Sequence, residues 1–252
     1  MRLQGVLFDL WGTLIHETPE HGRPRQVQRA NRVREALDRH GVDVEPEVIT
    51  RALTGAARTL TALHDTGTDT DSIGRVYLFL DELAKETNVP VPEGAYAGIE
   101  AAITPMSLDM APPPGPNAVE ALAAIKTLGL KTALISNVGT TTSIHLRPIL
   151  DAYGFTPYFD ALVFSDELLL AKPAKAIFDH ALGTIGVPAE ACAFVGDAPH
   201  NDVFGAQAAG LFTVQFGDKA HDTIQPNARI FDMADLLPTL AEHGLLELQP
   251  AK

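Results

Sequence analysis

Short apolar runs that each end near polar residues recur along this chain and constrain its fold more than any other feature. They occupy residues 6–8, 132–135, 161–164, 192–195 and 212–215. Continuous runs of this length are typical of strands in a parallel sheet that is covered on both faces, because such strands have no solvent side that needs polar residues. The sequence therefore predicts a parallel sheet built from these strands.

Helical patterns separate the strand runs. They cover residues 117–128, 141–153, 174–185 and 200–209, and each is followed by a glycine: Gly129, Gly154, Gly186 and Gly210. Glycine commonly ends a helix because it enters the left-handed backbone region at little cost. The alternation of strands and helices predicts a doubly wound α/β domain.

Residues 16–110 show helical periodicity alone, with candidate helices at 24–40, 46–64, 70–87 and 92–103. A proline-rich stretch, residues 111–116, then leads back to the α/β pattern and is typical of a hinge or linker. We predict an α/β core domain made of residues 1–15 and 111–252, with an all-helical cap domain at 16–110 inserted after the first strand.

Composition excludes several functions. The formal net charge of −13 argues against a main role in coating nucleic acid or anionic membranes, since both need excess basic residues. Cys192 is the single cysteine, so it is expected in the core, and neither an internal disulfide nor a cysteine-rich zinc site can form. The start of the sequence lacks signal-peptide architecture, and we expect a cytoplasmic protein.

Polar residues follow the apolar runs at the sheet edge where α/β proteins bind ligands. They are Asp9; Ser136 and Asn137; Ser165 and Asp166; and Asp197 with Asp202, while Lys172 lies in a loop before a helix. Converging carboxylates repel one another unless a cation lies between them, and Mg²⁺ prefers oxygen ligands. A lysine and a hydroxyl beside that cation would bind a phosphoryl group, which a carboxylate can attack. The pattern favours metal-assisted phosphoryl transfer.

The same residues form four ordered motifs. Residues 8–14 (FDLWGTL), 134–137 (LISN), 172–173 (KP) and 196–202 (GDAPHND) resemble, in order, the four motifs of the haloacid dehalogenase superfamily of hydrolases. The helical stretch lies where that family inserts a cap. The resemblance implies a Rossmann-like core, with a helical cap that closes over the cleft and selects the substrate.

The resemblance also implies roles for single residues. Asp9 would be the nucleophile that forms an aspartyl phosphate, with Ser136 and Lys172 as its catalytic partners. The substrate-binding residues would be Thr13, Ser136, Asn137 and Lys172. Mg²⁺ would be held by the carboxylates of Asp9 and Asp197 and by the backbone carbonyl of Trp11, with Asp202 as a further ligand either directly or through water. The expected function is Mg²⁺-dependent hydrolysis of small phosphorylated metabolites by a monomer or homodimer, without nucleic-acid or membrane partners.

One residue departs from the pattern of the family's phosphatases. The position two after the nucleophile usually holds an aspartate that protonates the leaving group, and here it holds Trp11, whose indole does not exchange protons near neutral pH. Candidates for a replacement acid are His16, Glu17 and His200. Two other functions stay open: a 2-haloacid dehalogenase, whose leaving halide needs no proton, and a catalytically impaired protein that only binds metabolites.

The cap also carries a basic stretch with two interpretations. It contains Arg23, Arg25, Arg29, Arg32 and Arg34. These side chains would bind an anionic substrate, or they would form a solvated helix face balanced by Glu35 and Asp38. We favour the solvated face.

Overall fold

A computed structural model describes residues 2–247 and contains a six-stranded parallel sheet. The strands are β1 (Gly5–Phe8), β2 (Lys131–Ser136), β3 (Ala161–Phe164), β4 (Cys192–Gly196), β5 (Phe212–Phe216) and β6 (Ala228–Ile230). Their order across the sheet is β3-β2-β1-β4-β5-β6. The α/β fold predicted from the sequence is confirmed. Strand β6 was not predicted, because three residues with a central arginine carry too little apolar signal.

Ten α-helices connect and cover these strands in the described part of the chain. They are α1 (Pro19–Asp38), α2 (Pro46–Asp65), α3 (Ser72–Glu86), α4 (Tyr96–Ile103), α5 (Ala118–Thr127), α6 (Ser143–Ala152), α7 (Ser165–Leu168), α8 (Lys175–Ile185), α9 (Gly205–Ala209) and α10 (Leu236–Glu242). The four glycines predicted to end helices all have positive φ, between 69° and 93°. Within the described residues, no helix is both long enough and apolar enough to cross a lipid bilayer.

Two predicted helix starts differ from the structure by five residues, more than any others. The helix expected to begin at Pro24 begins at Pro19, which also suits a first-turn proline, so Pro24 lies inside α1. The pattern at 200–209 is helical, but its first part, Pro199–Phe204, is a π-helical turn that continues into α9. Apolar periodicity does not show where a helix begins, or whether a turn is α-helical or π-helical, because the spacing of apolar residues is similar in each case.

Both faces of the sheet are covered by apolar side chains. Val6 and Phe8 of β1 pack in one cluster with Ile125 of α5, whereas the intervening Leu7 packs in another with Phe178 of α8. Successive strand residues point to opposite faces, so one short apolar strand contributes to two cores. This explains why the strand runs are continuously apolar.

The helices α1–α4, which we call the helical insertion, share a third apolar cluster of their own. It includes Val33 and Leu37 of α1, Ile49 of α2, Phe79 of α3 and Ile99 of α4. A separate core is expected of an insertion that folds as its own unit. The boundaries at residues 16 and 110 stay a prediction.

Candidate active site

The two central strands bring the motif residues to one edge of the sheet. β1 pairs in parallel with β4, with Phe8 opposite Val195, so Asp9 and Asp197 lie just past neighbouring carboxyl ends. Ser136, at the end of β2, follows Leu134, the partner of Phe8 on the other side. A parallel register therefore places residues from distant parts of the sequence at one site.

Three buried carboxylates meet there. Asp9, Asp197 and Asp202 each provide an oxygen, and these oxygens lie within 4.8 Å of one another. Burial raises the pKa of Asp9 to about 7, an effect that Lys172 opposes and the neighbouring Asp202 and Asp197 strengthen. Burial and repulsion from Asp202 likewise raise the pKa of Asp197. A divalent cation among these oxygens would favour their charged forms, so the cluster suits one.

Lys172 lies between two of the carboxylates. Its side chain is buried, and its Nζ lies 2.6 Å from Oδ1 of Asp9 and 2.7 Å from Oδ1 of Asp202. Burial alone would favour the neutral amine, but attraction to Asp202 and Asp9 raises the pKa of Lys172 above its usual value. The residue is therefore an ammonium ion.

Asn137 sets the position of the Lys172 backbone. Its Nδ2 donates to the carbonyl oxygen of Lys172 at 2.8 Å, and its Oδ1 accepts from the Lys172 N–H, also at 2.8 Å. Asn137 also lines the cleft described below. Because both ends of the amide are engaged, the structure gives Asn137 a positioning role, and its contact with substrate stays a prediction.

A second ammonium group, which was not predicted from the sequence, faces the cluster. Lys219, in the loop after β5, forms an ion pair with Oδ2 of Asp197, although its side chain is 60% exposed. No motif or periodicity distinguishes this lysine from others in polar loops. When all three carboxylates are ionised, the two ammonium groups leave one negative charge uncompensated.

Several buried polar atoms of the motif residues have no hydrogen-bond partner. In residues 2–247, Oδ2 of Asp9, Oγ of Ser136 and Oγ1 of Thr13 have no hydrogen-bond partner, and both hydroxyl residues are fully buried. Buried polar groups without partners are destabilising and uncommon in folded proteins. They are expected where a polar ligand completes the hydrogen bonding.

Two glycines allow the loops to approach the carboxylates closely. Gly12 has a φ of +81°, and a Cβ placed there would overlap the Asp197 carboxylate. A Cβ on Gly196 would lie 2.5 Å from Oδ2 of Asp202. Asp202 is itself held by the π-helical turn, where its Oδ2 accepts from the Ala198 N–H at 2.9 Å. Side chains at either glycine would displace a carboxylate.

A cleft of about 740 Å³ lies between the helical insertion and the core loops. Trp11 and Asn137 line it from the core, and residues of α1 and α2 line it from the insertion. The indole Nε1 of Trp11 is buried and has no partner among the described atoms. The residue that replaces the usual acid therefore forms part of the cleft wall.

The three candidate acids have different surroundings. His16 lies with its Nε2 3.2 Å from the Thr13 carbonyl oxygen and packs on Phe216. His200 is exposed and stacks on Phe204. Glu17 lines the cleft but lies 2.5 Å from Arg25 in an ion pair. Of these candidates, Glu17 alone lines the cleft.

A buried network between the insertion and the core was also not predicted from the sequence. His64 at the end of α2 lines the cleft, and its Nε2 lies 3.2 Å from Oδ2 of Asp69. Asp69 pairs with Arg75 of α3 at 3.3 Å, and Arg75 donates to the carbonyl oxygens of Val138 and Gly139 at 2.9 Å each. The network ties α3 to the loop that follows Ser136.

The remaining strand-end residues hold loops together. Ser165 Oγ accepts a hydrogen bond from the Val138 N–H at 2.9 Å, and Asp166 Oδ2 accepts from the Ser143 N–H at 2.9 Å, at the start of α6. Cys192 is buried within β4, as expected.

Comparison with known proteins now identifies the family. Residues 3–210 match the family model described as haloacid dehalogenase-like hydrolase. The chain belongs to this family. The resemblance and the enzyme class predicted from the sequence motifs are therefore confirmed.

Individual relatives carry more than one name. The chain is 30% identical over 213 residues to a ribulose-1,5-bisphosphate 5-phosphatase from Halopiger xanaduensis, covering 84% of this chain and 83% of the relative. It is 27% identical over 249 residues to a phosphoglycolate phosphatase from Yersinia pestis, covering 94% and 93%. A 2-haloacid dehalogenase structure from Pseudomonas syringae matches with a TM-score of 0.67 at 18% identity, covering 96% of this chain and 99% of that one. At that identity the last match shows the fold alone.

Proposed function

We propose that this hydrolase cleaves phosphate monoesters of small metabolites, with Mg²⁺ as cofactor and an aspartyl phosphate on Asp9 as intermediate. The observation that carries the proposal is the buried cluster of Asp9, Asp197 and Asp202 around Lys172. Buried polar atoms of Asp9, Ser136 and Thr13 have no protein partner and are available to a phosphoryl group. Two relatives named as phosphatases that match most of this chain support the proposal.

The residues present fit a magnesium ion. Carboxylate oxygens of Asp9, Asp197 and Asp202, with the backbone carbonyl of Trp11, form an all-oxygen donor set of the kind Mg²⁺ prefers. The orphaned Oδ2 of Asp9 is available for such a contact. When bound, Mg²⁺ supplies positive charge that offsets the repulsion between the substrate phosphoryl group and the carboxylates.

The protein's own groups then define two chemical steps. In the first, a carboxylate oxygen of Asp9 attacks phosphorus, the bond from phosphorus to the leaving oxygen breaks, and that oxygen departs with the electron pair and takes a proton from solvent. In the second, water attacks the same phosphorus and gives up a proton to solvent, the bond to Asp9 breaks, and inorganic phosphate leaves with the Asp9 carboxylate restored. Lys172 neutralises negative charge on the phosphoryl oxygens, and the hydroxyls of Ser136 and Thr13 donate hydrogen bonds to them.

Asn137 and Gly12 support this chemistry indirectly. Asn137 holds the Lys172 backbone through two hydrogen bonds, so the ammonium group stays directed at Asp9. Gly12 lets the loop after β1 pass the Asp197 carboxylate without a clash. Both residues preorganise charges before substrate arrives, which is how electrostatic stabilisation lowers a barrier most effectively.

A 2-haloacid dehalogenase is the second candidate, and Trp11 is the observation that favours it. A departing halide needs no proton, so an indole in place of a carboxylic acid would not slow that reaction. The three-carboxylate cluster favours the phosphatase instead, because displacement of halide does not use a divalent cation. A metabolite-binding protein without turnover is the remaining alternative.

The deciding experiment is hydrolysis of p-nitrophenyl phosphate by protein stripped with a chelator, with and without added Mg²⁺. This ester has a good leaving group, so Trp11 should not limit its rate. We expect turnover that requires Mg²⁺ and disappears in Asp9→Asn. The matched control is Asp43→Asn, at an exposed carboxylate of the insertion, which should leave the rate unchanged.

Other outcomes would overturn the proposal. Turnover that survives Asp9→Asn would exclude Asp9 as nucleophile. Chloride release from 2-chloropropionate, with no phosphate release from any ester, would establish the dehalogenase. Saturable binding of phosphate esters without any product would indicate a binding protein.

A further inference from the structure

The five arginines of α1 have different surroundings. Arg34 lies 4.0 Å from Asp38, and Arg25 lies 2.5 Å from Glu17. Arg29, in contrast, has no carboxylate within 4 Å anywhere in the stretch 2–247, and only 7% of its surface is exposed. The solvated face favoured from the sequence is therefore wrong for Arg29, because α1 turns this side chain inward against the core.

The hydrogen bonds of Arg29 go to neutral acceptors. Its Nε donates to the carbonyl oxygen of Ile103 at 2.6 Å, and its Nη2 donates to Oγ1 of Thr141 at 3.2 Å. Burial lowers the pKa of Arg29 to about 10, with repulsion from Arg25 and Arg32 contributing and attraction to Glu17 opposing it, so the side chain still carries its charge at neutral pH. Glu17 is already paired with Arg25, so Arg29 has no adjacent carboxylate of its own, and a buried charge in that position is destabilising.

Arg29 lies on the wall of the 740 Å³ cleft, whose core side is formed by residues close in sequence to Asp9 and Ser136. That cleft is also lined by Trp11 and Asn137 from the core and by Gln26 and Thr140, which add polar side chains beside the guanidinium. The protein as a whole has a net charge of −13, so an unpaired buried cation in its main cleft is not a consequence of surplus arginine. The position of Arg29 suits contact with a negatively charged group of a bound ligand.

We propose that Arg29 forms a subsite for a second negative group of the substrate, so that the substrates are phosphate monoesters that also carry a carboxylate or a second phosphate. The proposal rests on the proposed function above, because it assumes that the first phosphate occupies the carboxylate and lysine cluster. A guanidinium group binds carboxylates and phosphates through paired hydrogen bonds, and both chemistries share this recognition.

A purely structural role makes a different prediction. If Arg29 only holds the insertion against the core through Thr141, its loss should weaken binding of every ligand to the same extent. Thr141→Val tests this role directly, since it removes the hydrogen-bond acceptor at 3.2 Å and leaves the charge in place. We expect Thr141→Val to affect binding of phosphate esters with and without a second anion equally.

The experiment measures binding by calorimetry in the Asp9→Asn background, where turnover is prevented. The probes are two matched pairs: 3-phosphoglycerate with glycerol 3-phosphate, and fructose 1,6-bisphosphate with fructose 6-phosphate. Within each pair the second compound lacks the second anion. We expect Arg29→Met to weaken binding of at least one doubly anionic probe by about 10- to 100-fold, the range for loss of a hydrogen bond to a charged group. The paired compound should change less than about threefold.

The two probe pairs also distinguish a carboxylate from a second phosphate as the group that Arg29 binds. Selective loss for 3-phosphoglycerate assigns the subsite to a carboxylate, and selective loss for the bisphosphate assigns it to a phosphate. The matched control is Arg34→Met on the exposed side of α1, which should change neither compound of a pair.

Equal weakening within both pairs, or no weakening in either, would overturn the subsite. If Arg29→Met does not fold, Arg29→Gln retains hydrogen-bond donors without the charge and gives the same comparison. Failure of the proposed function can be distinguished from failure of the Arg29 subsite. In the first case the unsubstituted protein would hydrolyse neither p-nitrophenyl phosphate nor these esters, while the binding comparison would still decide the role of Arg29.

Discussion

Lys172 forms a buried ion pair with Asp9 at 2.6 Å, and its ammonium group also reaches Asp202 at 2.7 Å. One cation therefore bridges carboxylates that are distant in sequence, and the candidate active site depends on it for charge balance. Removing the lysine would leave buried carboxylates that repel one another.

Lys172→Met should therefore both destabilise the metal-free protein and abolish turnover. We expect a loss of about 3–5 kcal/mol in the free energy of unfolding, the usual result when one partner of a buried ion pair is removed. Urea unfolding in the presence of a chelator measures it. Lys175→Met, which removes an exposed pair with Asp179, should cost less than about 1 kcal/mol. Similar losses for both variants would contradict the bridging role.

Gly12→Ala separates backbone strain from active-site packing. Gly41 has a comparable positive φ of +69°, and a Cβ added to it would meet no atom within 4 Å, so Gly41→Ala is a matched control. Both variants should lose about 1–2 kcal/mol of stability, because alanine is disfavoured in the left-handed region. Gly12→Ala alone should also lose activity, since its methyl group displaces the Asp197 carboxylate. Equal activity in the two variants would show that this contact is not needed.

Trp11 predicts a strong dependence on the leaving group. With no acid at this position, p-nitrophenyl phosphate should be hydrolysed much faster than an alkyl ester such as glycerol 3-phosphate, by about 10²–10⁴-fold, the usual contribution of a general acid. Trp11→Asp should raise the alkyl rate relative to the aryl rate, whereas Trp11→Phe should leave the ratio unchanged. Equal rates in the unsubstituted protein would mean that a cleft residue, such as Glu17 or His64, supplies the proton.

Arg75 should be essential for the contact between α3 and the core. Burial alone would raise the pKa of Asp69, but the nearby His64 and the charge of Arg75 hold it below its usual value, so Arg75→Met leaves a charged, buried Asp69. We expect a loss of about 3–5 kcal/mol in unfolding free energy, measured in urea. The double variant with Asp69→Asn should recover part of that loss. Arg51→Met, at an exposed pair with Glu86, serves as the surface control.

Cys192 should be unreactive in the folded protein. Burial raises the pKa of its thiol to about 12, with a small contribution from Glu190, and the thiolate is the reactive form. Because the shift is upward, the folded-state thiol stays protonated until the pH approaches 12, whereas the unfolded-state thiol ionises near its ordinary pKa of about 8.5. Iodoacetamide at about pH 8, close to that ordinary pKa, should label the protein in denaturant and not in buffer. Rapid labelling of the folded protein would show that β4 opens to solvent.

The local pattern was sufficient for five of the six strands and for most of the core helices, whereas α7 and α10 were not predicted. Short apolar runs produce strands because both faces of a parallel sheet are buried, and this condition is visible within a few residues. Glycines after helices are equally local signals. Strand β6 was not predicted, and the π-helical turn at Pro199–Phe204 was predicted only as part of a helix. Both depend on packing against neighbouring segments and not on their own apolar periodicity.

By itself, the sequence determined the α/β core, the helical insertion, and the polar residues that follow the strands, including Asp9, Ser136 and Asp197. Their convergence follows from parallel topology, which places carboxyl ends at one edge. Only the tertiary structure decided that Lys219 joins the carboxylates, that Arg75 ties α3 to the loop after β2, and that Arg29 is buried with no carboxylate of the described residues within 4 Å. Lysines and arginines occur at many surface positions, so residue type does not show which of them are buried. Whether such a side chain is buried, and which group it pairs with, depends on contacts between segments far apart in the chain.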